Sequence, residues 1–418
     1  MKRINSFIFI LFFVLIPTVV SSQPEDSPTL TDCYQLALKQ SETVAINQEA
    51  IREAQARFGQ ALSTILPRAS YSYSQKWEDA GGSSSRETPE GKFTFSQPLF
   101  TGFKEFAAIA AGRSEKKQRQ HELKRAKQLL FKDVADAFYF YLNYQQDIET
   151  LESIRAVLAD RRVELVKREE LGRSRLSEIA SVDARISRVE ADIEEVKGEK
   201  DVAAQLLAFL TGSTFEVVND DRGVIQELKP LSEYESYTEN RPDVLAEHEA
   251  FIQAKKNITI ERSKYWPTVE AKGNQYTKRV GSSKDIDWDA TLSVDVPLFE
   301  GGETAGAVRE ARSQAKQEQL KFEQVKRSAL LDIQNSYSQL QSSIRRYQAI
   351  SKALDAAQKN YDLQLEDFRV NLVSNLDILQ VLEDLQDSRR DHIAIQNEMK
   401  RRYWQFQVSL GKAFDDTF

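Results

Sequence analysis

The sequence predicts a mainly α-helical chain with a small β part, built as two tandem copies of one unit. Each unit holds a helix, a β-hairpin and two long coiled-coil helices. Three observations carry this: an internal register at an offset of 199–200 residues, a switch of hydrophobic period within each half, and very long stretches without proline. In the register, Val44 meets Val244, Glu49-Ala50 meets Glu249-Ala250, Pro67 meets Pro267 and Pro98-Leu99-Phe100 meets Pro297-Leu298-Phe299. Gly102 meets Gly301, Glu178-Ile179 meets Asp377-Ile378, Leu210 meets Leu410 and Gly212 meets Gly411. A repeat of this length marks a duplicated domain, not a solenoid.

The chain opens on a targeting segment. Residues 1–22 carry Lys2 and Arg3, an apolar run from Ile4 to Val20, then Ser21-Ser22. That is the layout of a signal peptide cleaved near Ser22-Gln23, with an uncleaved anchor as the alternative. No other stretch is long and apolar enough for a membrane helix, so a membrane role must rest on strands.

The first repeat spans 23–212. It begins with a helix from Leu30 to Leu66, ended by Pro67, which removes a donor and clashes with the preceding turn. A hairpin follows at 68–99. Ala69, Tyr71, Tyr73 and Trp77 alternate with serines and lysine, Gly81–Ser85 make the loop, and Phe93, Phe95 and Leu99 alternate with Lys92, Thr94 and Ser96. Strands of about 9–11 residues with terminal aromatics fit a transmembrane barrel, although soluble sheets share the pattern. Long helices are expected at 102–171 and 175–211, with core positions Leu130, Val134, Ala137, Tyr141, Tyr144, Ile148 and Leu151, then Ile179, Val182, Ile186, Val189, Ile193 and Val196. Such a sustained repeat of 3.5 residues means coiled-coil packing. A connector at 213–240 leads to the second repeat, 241–411: a helix to Trp266, a hairpin at 268–297 and long helices at 302–370 and 375–410. Residues 412–418 form a tail.

Composition excludes some roles. Without Lys2 and Arg3 the chain keeps 55 basic and 64 acidic residues, a net charge of −9, which argues against nucleic acid as a partner. The single cysteine, Cys33, cannot form an internal disulfide and is expected half-buried on the first helix. Four candidate strands per chain cannot close a membrane barrel, which needs at least about eight, so several chains must share one.

The chain resembles the TolC family of outer-membrane efflux proteins over essentially all of its mature length. The resemblance rests on Leu30–Leu38 (LTDCYQLAL), Arg241-Pro242-Asp243-Val244, the Pro-Leu-Phe-x-Gly turns at Pro98–Gly102 and Pro297–Gly301, the two hairpin tips and Leu210-Thr211-Gly212, in order and duplicated. It implies a homotrimer in the outer membrane. Three chains would share a twelve-stranded β-barrel, and an α-helical barrel would cross the periplasm. The equatorial collar would form from Leu30–Gln40, Ser213–Asn240 and the residues after Leu410. It also implies an exit duct for efflux or type I secretion. Its partners would be a periplasmic adaptor, an inner-membrane transporter of resistance-nodulation-division or ABC type, and outer-membrane lipid.

By the same resemblance, acidic rings near the tips close the periplasmic entrance, and Glu178 and Asp377 hold the matching positions. Gln380 stands where the family often has a second acid, and Phe368 where it has a tyrosine. Arg173 and Arg175 are expected to bond to the neighbouring hairpin. Asn371 replaces a usual glycine. The tips, with Leu171, Gly172, Ser174 and Leu176 in one and Val370, Asn371, Leu372 and Ser374 in the other, would dock the adaptor.

Nothing points to catalysis or to a cofactor. His121, His248 and His392 lack metal-ligand spacing, and no phosphate loop or nucleophile elbow is present. The alternative is a periplasmic coiled-coil scaffold or adaptor without a barrel. The paired hairpins argue against it, since adaptors carry one helical hairpin.

Overall fold

The computed structural model describes residues 27–79, 85–220, 227–280, 284–370 and 372–412. The signal segment 1–22, most of the first hairpin loop and Asn371 lie outside them. Helix α1 (Leu30–Gln40) opens the chain, with Thr29 and Asp32 forming a reciprocal cap at its start. The single first helix expected from Leu30 to Leu66 is in fact two. Ser41 is extended (φ −69°, ψ 111°), ends α1 and caps α2 (Glu42–Ser63), its hydroxyl accepting the Val44 N–H.

Strands β1 (Arg68–Asp79) and β2 (Ser85–Thr101) follow, the second running two residues past the expected end. Register shifts at Gly91/Lys92 and Pro98/Phe100 accommodate the extension, because Pro98 has no N–H to give the ladder. Helix α3 (Lys104–Glu170) is 67 residues long, about 100 Å, and α4 (Leu176–Thr211) returns along it. The connector holds α5 (Leu231–Glu235) and a 3₁₀ turn, Ser236–Asn240. The second repeat adds α6 (Pro242–Arg262), strands β3 (Thr268–Lys278) and β4 (Trp288–Asp295), and helices α7 (Glu303–Arg369) and α8 (Asn375–Ser409). Helix α6 stops short of the expected Trp266, giving way to a 3₁₀ turn at Ser263–Tyr265.

The four strands form one antiparallel sheet in the order β1-β2-β3-β4, with β1 and β4 as open edges. Cross-strand partners share a face. Tyr71 pairs with Phe93, Ala69 with Phe95, Ala271 with Leu292 and Val269 with Val294, so one face is largely apolar, interrupted by Gln275 opposite Phe93 and Gln97 opposite Ala271. The other pairs Ser70 with Thr94, Thr94 with Asn274, and Asn274 with Asp289. Trp77, Tyr73 and Trp288 stand exposed near the hairpin loops, and Tyr265, Trp266, Phe103, Phe106 and Phe299 near the helical end. Aromatic girdles at both ends of an apolar band are what a membrane barrel presents to lipid. No described helix is long and apolar enough to cross a membrane.

Below the sheet the helices form a wall one helix thick, with a collar on one side. Helix α1 docks through Tyr34, whose ring meets Phe131 edge-on at 5.0 Å, and Phe131 meets Trp404 at 5.1 Å. Helix α5 docks through Tyr234 on Phe406 at 4.9 Å. Cys33 is fully buried beneath α1, not half-buried, because it faces α3. Burial, with Asp32 beside it, pushes its thiol up to about 12.

Candidate functional site

The ends of the two helical hairpins lie farthest from the sheet. At the first, Gly172 adopts a left-handed φ of 68°, and the Arg173 N–H closes the turn on the Arg168 carbonyl at 2.8 Å. At the second, the Leu372 N–H closes on the Asp367 carbonyl at 2.9 Å. Leu171, Leu176, Val370, Leu372 and Leu376 all expose most of their surface here. Five large apolar side chains are thus left to water at the two tips.

Glu178 and Asp377 share one local role. Each sits at the third position of its helix and turns its carboxylate back over the helix start. Asp377 accepts from the Ser374 N–H at 2.8 Å and the Ser374 hydroxyl at 2.7 Å, while the Asp377 N–H donates to that hydroxyl at 3.3 Å. Glu178 accepts from the Ser174 hydroxyl and from the Arg175 N–H, the latter at 3.0 Å. The hydroxyl bonds hold both carboxyls below their ordinary range. At helix N-termini the ionised form of both acids is favoured. Gln380 is exposed one turn on and donates to Asp384 at 3.3 Å. Asp377, Gln380 and Asp384 therefore share one exposed face, and the second acid comes two turns after Asp377, not one.

What joins the hairpins is a set of side chains of which the sequence reading singles out only Phe368. Arg161 on α3 is 8% exposed. Its Nε donates to Oδ1 of the buried Asn375 at 3.0 Å, and its Nη1 to Glu164 at 2.8 Å. Its guanidinium lies 3.8 Å from the centre of the Phe368 ring, and Arg168 lies 4.5 Å from the same ring. Phe368 is thus buried between two cations, which lie against its ring as cation–π contacts. Farther along, Arg185 pairs with Glu383 at 2.7 Å, and Arg390 grips Asp147 with two bonds at 2.7 and 2.9 Å. Arg173 and Arg175 make no side-chain ion pair with the second hairpin among the described residues. Both lie beyond the end of α3, past the layer where the hairpins touch. The signal for Arg161 was present: it falls in the heptad series Leu151, Ile154, Leu158, Arg161, Leu165, an arginine where a core residue belongs.

Among the described residues no group of histidine, cysteine and carboxylate side chains could hold a metal. The three histidines sit on three different helices.

A sequence model of the outer membrane efflux protein family matches residues 33–213 and 234–412, both repeats with the connector between them. The chain belongs to that family. It is 24% identical over 407 residues to the alkaline protease secretion protein AprF of Pseudomonas aeruginosa, covering 91% of this chain and 82% of that protein. It is 23% identical over 314 residues to TolC of Vibrio cholerae, covering 71% and 70%. Among solved structures, CusC superposes with a TM-score of 0.80 at 16% identity, covering 92% of both chains. VceC of Vibrio cholerae superposes at 0.78 and 17% identity, covering 92% of this chain and 96% of that one. The chain is thus an outer-membrane export channel of TolC-like fold, contributing four strands to a shared barrel and its helices to a periplasmic duct. The family is one of channels, not enzymes, and the scaffold alternative is set aside.

Proposed function

We propose that the hairpin ends of three subunits form the periplasmic gate of this duct, and that a periplasmic adaptor docks on their tips to open it for an inner-membrane transporter. The observation that carries the reading is the contrast at this end. The two hairpins are clamped to each other through Arg161, Phe368 and Asn375, while the leucines and Val370 just beyond are left to water. A clamp that holds the ends together and an apolar patch that asks for a partner are what an openable, docked gate requires. Asp377 and Asp384 on α8, with Glu178 on α4, supply the acidic lining, which favours cations in a pore.

The transporter is of the resistance-nodulation-division or ABC type. Relatives whose names speak of efflux and of protease secretion both align with the chain. The test is conductance in a planar bilayer. Arg161→Ala should widen the closed-state current, and Asp377→Ala should reduce its cation preference. Unchanged current and selectivity in both would remove the gate from this end.

A further inference from the structure

At the level of the collar the wall carries a second feature, a concavity of about 740 Å³ where the ends of α4 and the starts of α2 and α6 meet α3 and α7. That volume lies within the range of small-molecule sites, roughly 300–1,000 Å³. Its position in the duct follows from helix geometry. The collar helix α1 covers the face of α3 that carries Phe131, Val134 and Phe138. The concavity takes Glu122, Leu129 and Asp133, half a turn away on the opposite face. A wall one helix thick that closes around an axis has room for an added collar only outside, so the concavity faces the lumen.

The floor is apolar: Leu129, Leu130, Val325 and above all Phe209, a ring 78% exposed in the single subunit. Phe209 has no counterpart in the second half, where the register places the buried Ser409. The rim is acidic. Of its charged groups, Arg241 and Arg125 are already held by Asp243 and Asp332, with Arg241 bonded to Asp243 at 2.6 Å. Arg119 pairs with Glu122 and Lys132 lies 3.6 Å from Asp133. Glu42 and Glu247 make no ion pair or hydrogen bond among the described residues. Burial, and the nearby carboxylates of Glu318 and Glu122, push the Glu247 carboxyl up, with Lys321 opposing. An open aromatic face beside unneutralised carboxylates is complementary to one ligand chemistry: a positive charge carried on an apolar body.

We propose that this equatorial concavity is a transit site for amphipathic organic cations, one per subunit, inside the export duct; the proposal rests on the chain being an open-ended channel. The probe is tetraphenylphosphonium, with tetraphenylborate as its matched anion. Binding is read by equilibrium dialysis against the trimer in lipid nanodiscs, with empty nanodiscs subtracted. The expected result is binding of the cation over the anion, weakened roughly tenfold by Phe209→Ala, the size of one desolvated cation–aromatic contact. Glu247→Gln should also weaken it, and Asp377→Ala should not. Equal uptake of the anion, indifference to both Phe209→Ala and Glu247→Gln, or loss on Asp377→Ala alone would overturn the site. Conductance of the parent trimer separates the two readings. A conducting trimer without cation binding overturns the transit site alone, whereas a trimer that never conducts overturns the channel reading beneath it.

Discussion

The two halves meet the collar with the same backbone and with different side chains. In both, a long helix ends in a left-handed glycine, Gly212 at φ 71° and Gly411 at φ 75°, and a shorter helix starts beside it. In the first half the start is Ser41, a hydroxyl that accepts one N–H. In the second it is Arg241, 1% exposed, which grips Asp243 with two bonds and reaches the carbonyls of Ala329 and Ser409 and the carboxylate of Asp332. One device is local and solvated, the other ties α6 to α7 and α8. Duplication kept the turn and let the fastening diverge. The second-half joint became a rigid hub, and the first-half joint stayed open enough to leave Phe209 bare.

The sharpest way to break this comparison is to exchange the fastenings. Arg241→Ala leaves half-buried Asp243 with Arg125 alone, 3.6 Å away, and removes the donor to the Ala329 and Ser409 carbonyls, and should cost about 3 kcal/mol. Ser41→Ala loses one cap and should cost about 1 kcal/mol. Thermal unfolding of the assembled protein reads both, and equal losses would deny the asymmetry.

Next is the pair of turns after the hairpins. A Cβ on Gly102 would stand 2.5 Å from the Ser263 carbonyl oxygen, whereas at Gly301 it meets nothing within 4 Å. Both need positive φ, at a cost of about 1–2 kcal/mol for alanine. Gly301→Ala should therefore lose only that, while Gly102→Ala should lose more and shift the packing of Ser263, as unfolding in denaturant would show.

At the far end, Arg161→Ala leaves the buried Asn375 amide without its donor, a loss of about 1–3 kcal/mol. Its readout is hydrogen exchange at residues 372–380, which should speed up while the first tip, held by its own turn, changes less.

The smallest effect is that of pH. Glu178 and Asp377 have lowered pKa values in the folded chain, so their caps are complete at neutral pH and above. The contribution disappears as pH falls through the ordinary carboxylate range into the depressed values. Proteolysis at the tips should stay constant from pH 7 to 5 and rise only beneath that range. A rise centred near pH 6 would assign the tips' order to another group.

Much of this was legible in the residues. The register of the two halves, the tips near Leu171 and Val370 and the ends of the four long helices follow from proline, glycine and the heptads, each a local signal. Ser41 broke a helix that reads as continuous because serine is tolerated inside helices, and only docking of α1 against α3 makes the bend worthwhile. Strand β2 ran on through Pro98 because a bulge spares the missing donor, and bulges leave no mark in a single strand's pattern. At the hairpin ends, Ser374-x-x-Asp377 is a readable capping box, yet what Arg161 grips was not, since Asn375 is more than two hundred residues away. The partners of a buried arginine are a property of the tertiary fold.

The open edges of the sheet have a genetic consequence. Strands β1 and β4 carry unpaired backbone groups that lipid cannot satisfy, so no subunit can rest in the membrane by itself. Every barrel is a joint product, and one copy with a damaged edge spoils the seam it makes with the neighbour on that side, which leaves the whole barrel open. In a cell making sound and edge-damaged chains in equal amounts, most assemblies would include at least one damaged copy. Lesions in β1 or β4 should therefore be dominant over the intact allele, while lesions that prevent a chain from folding at all should be recessive.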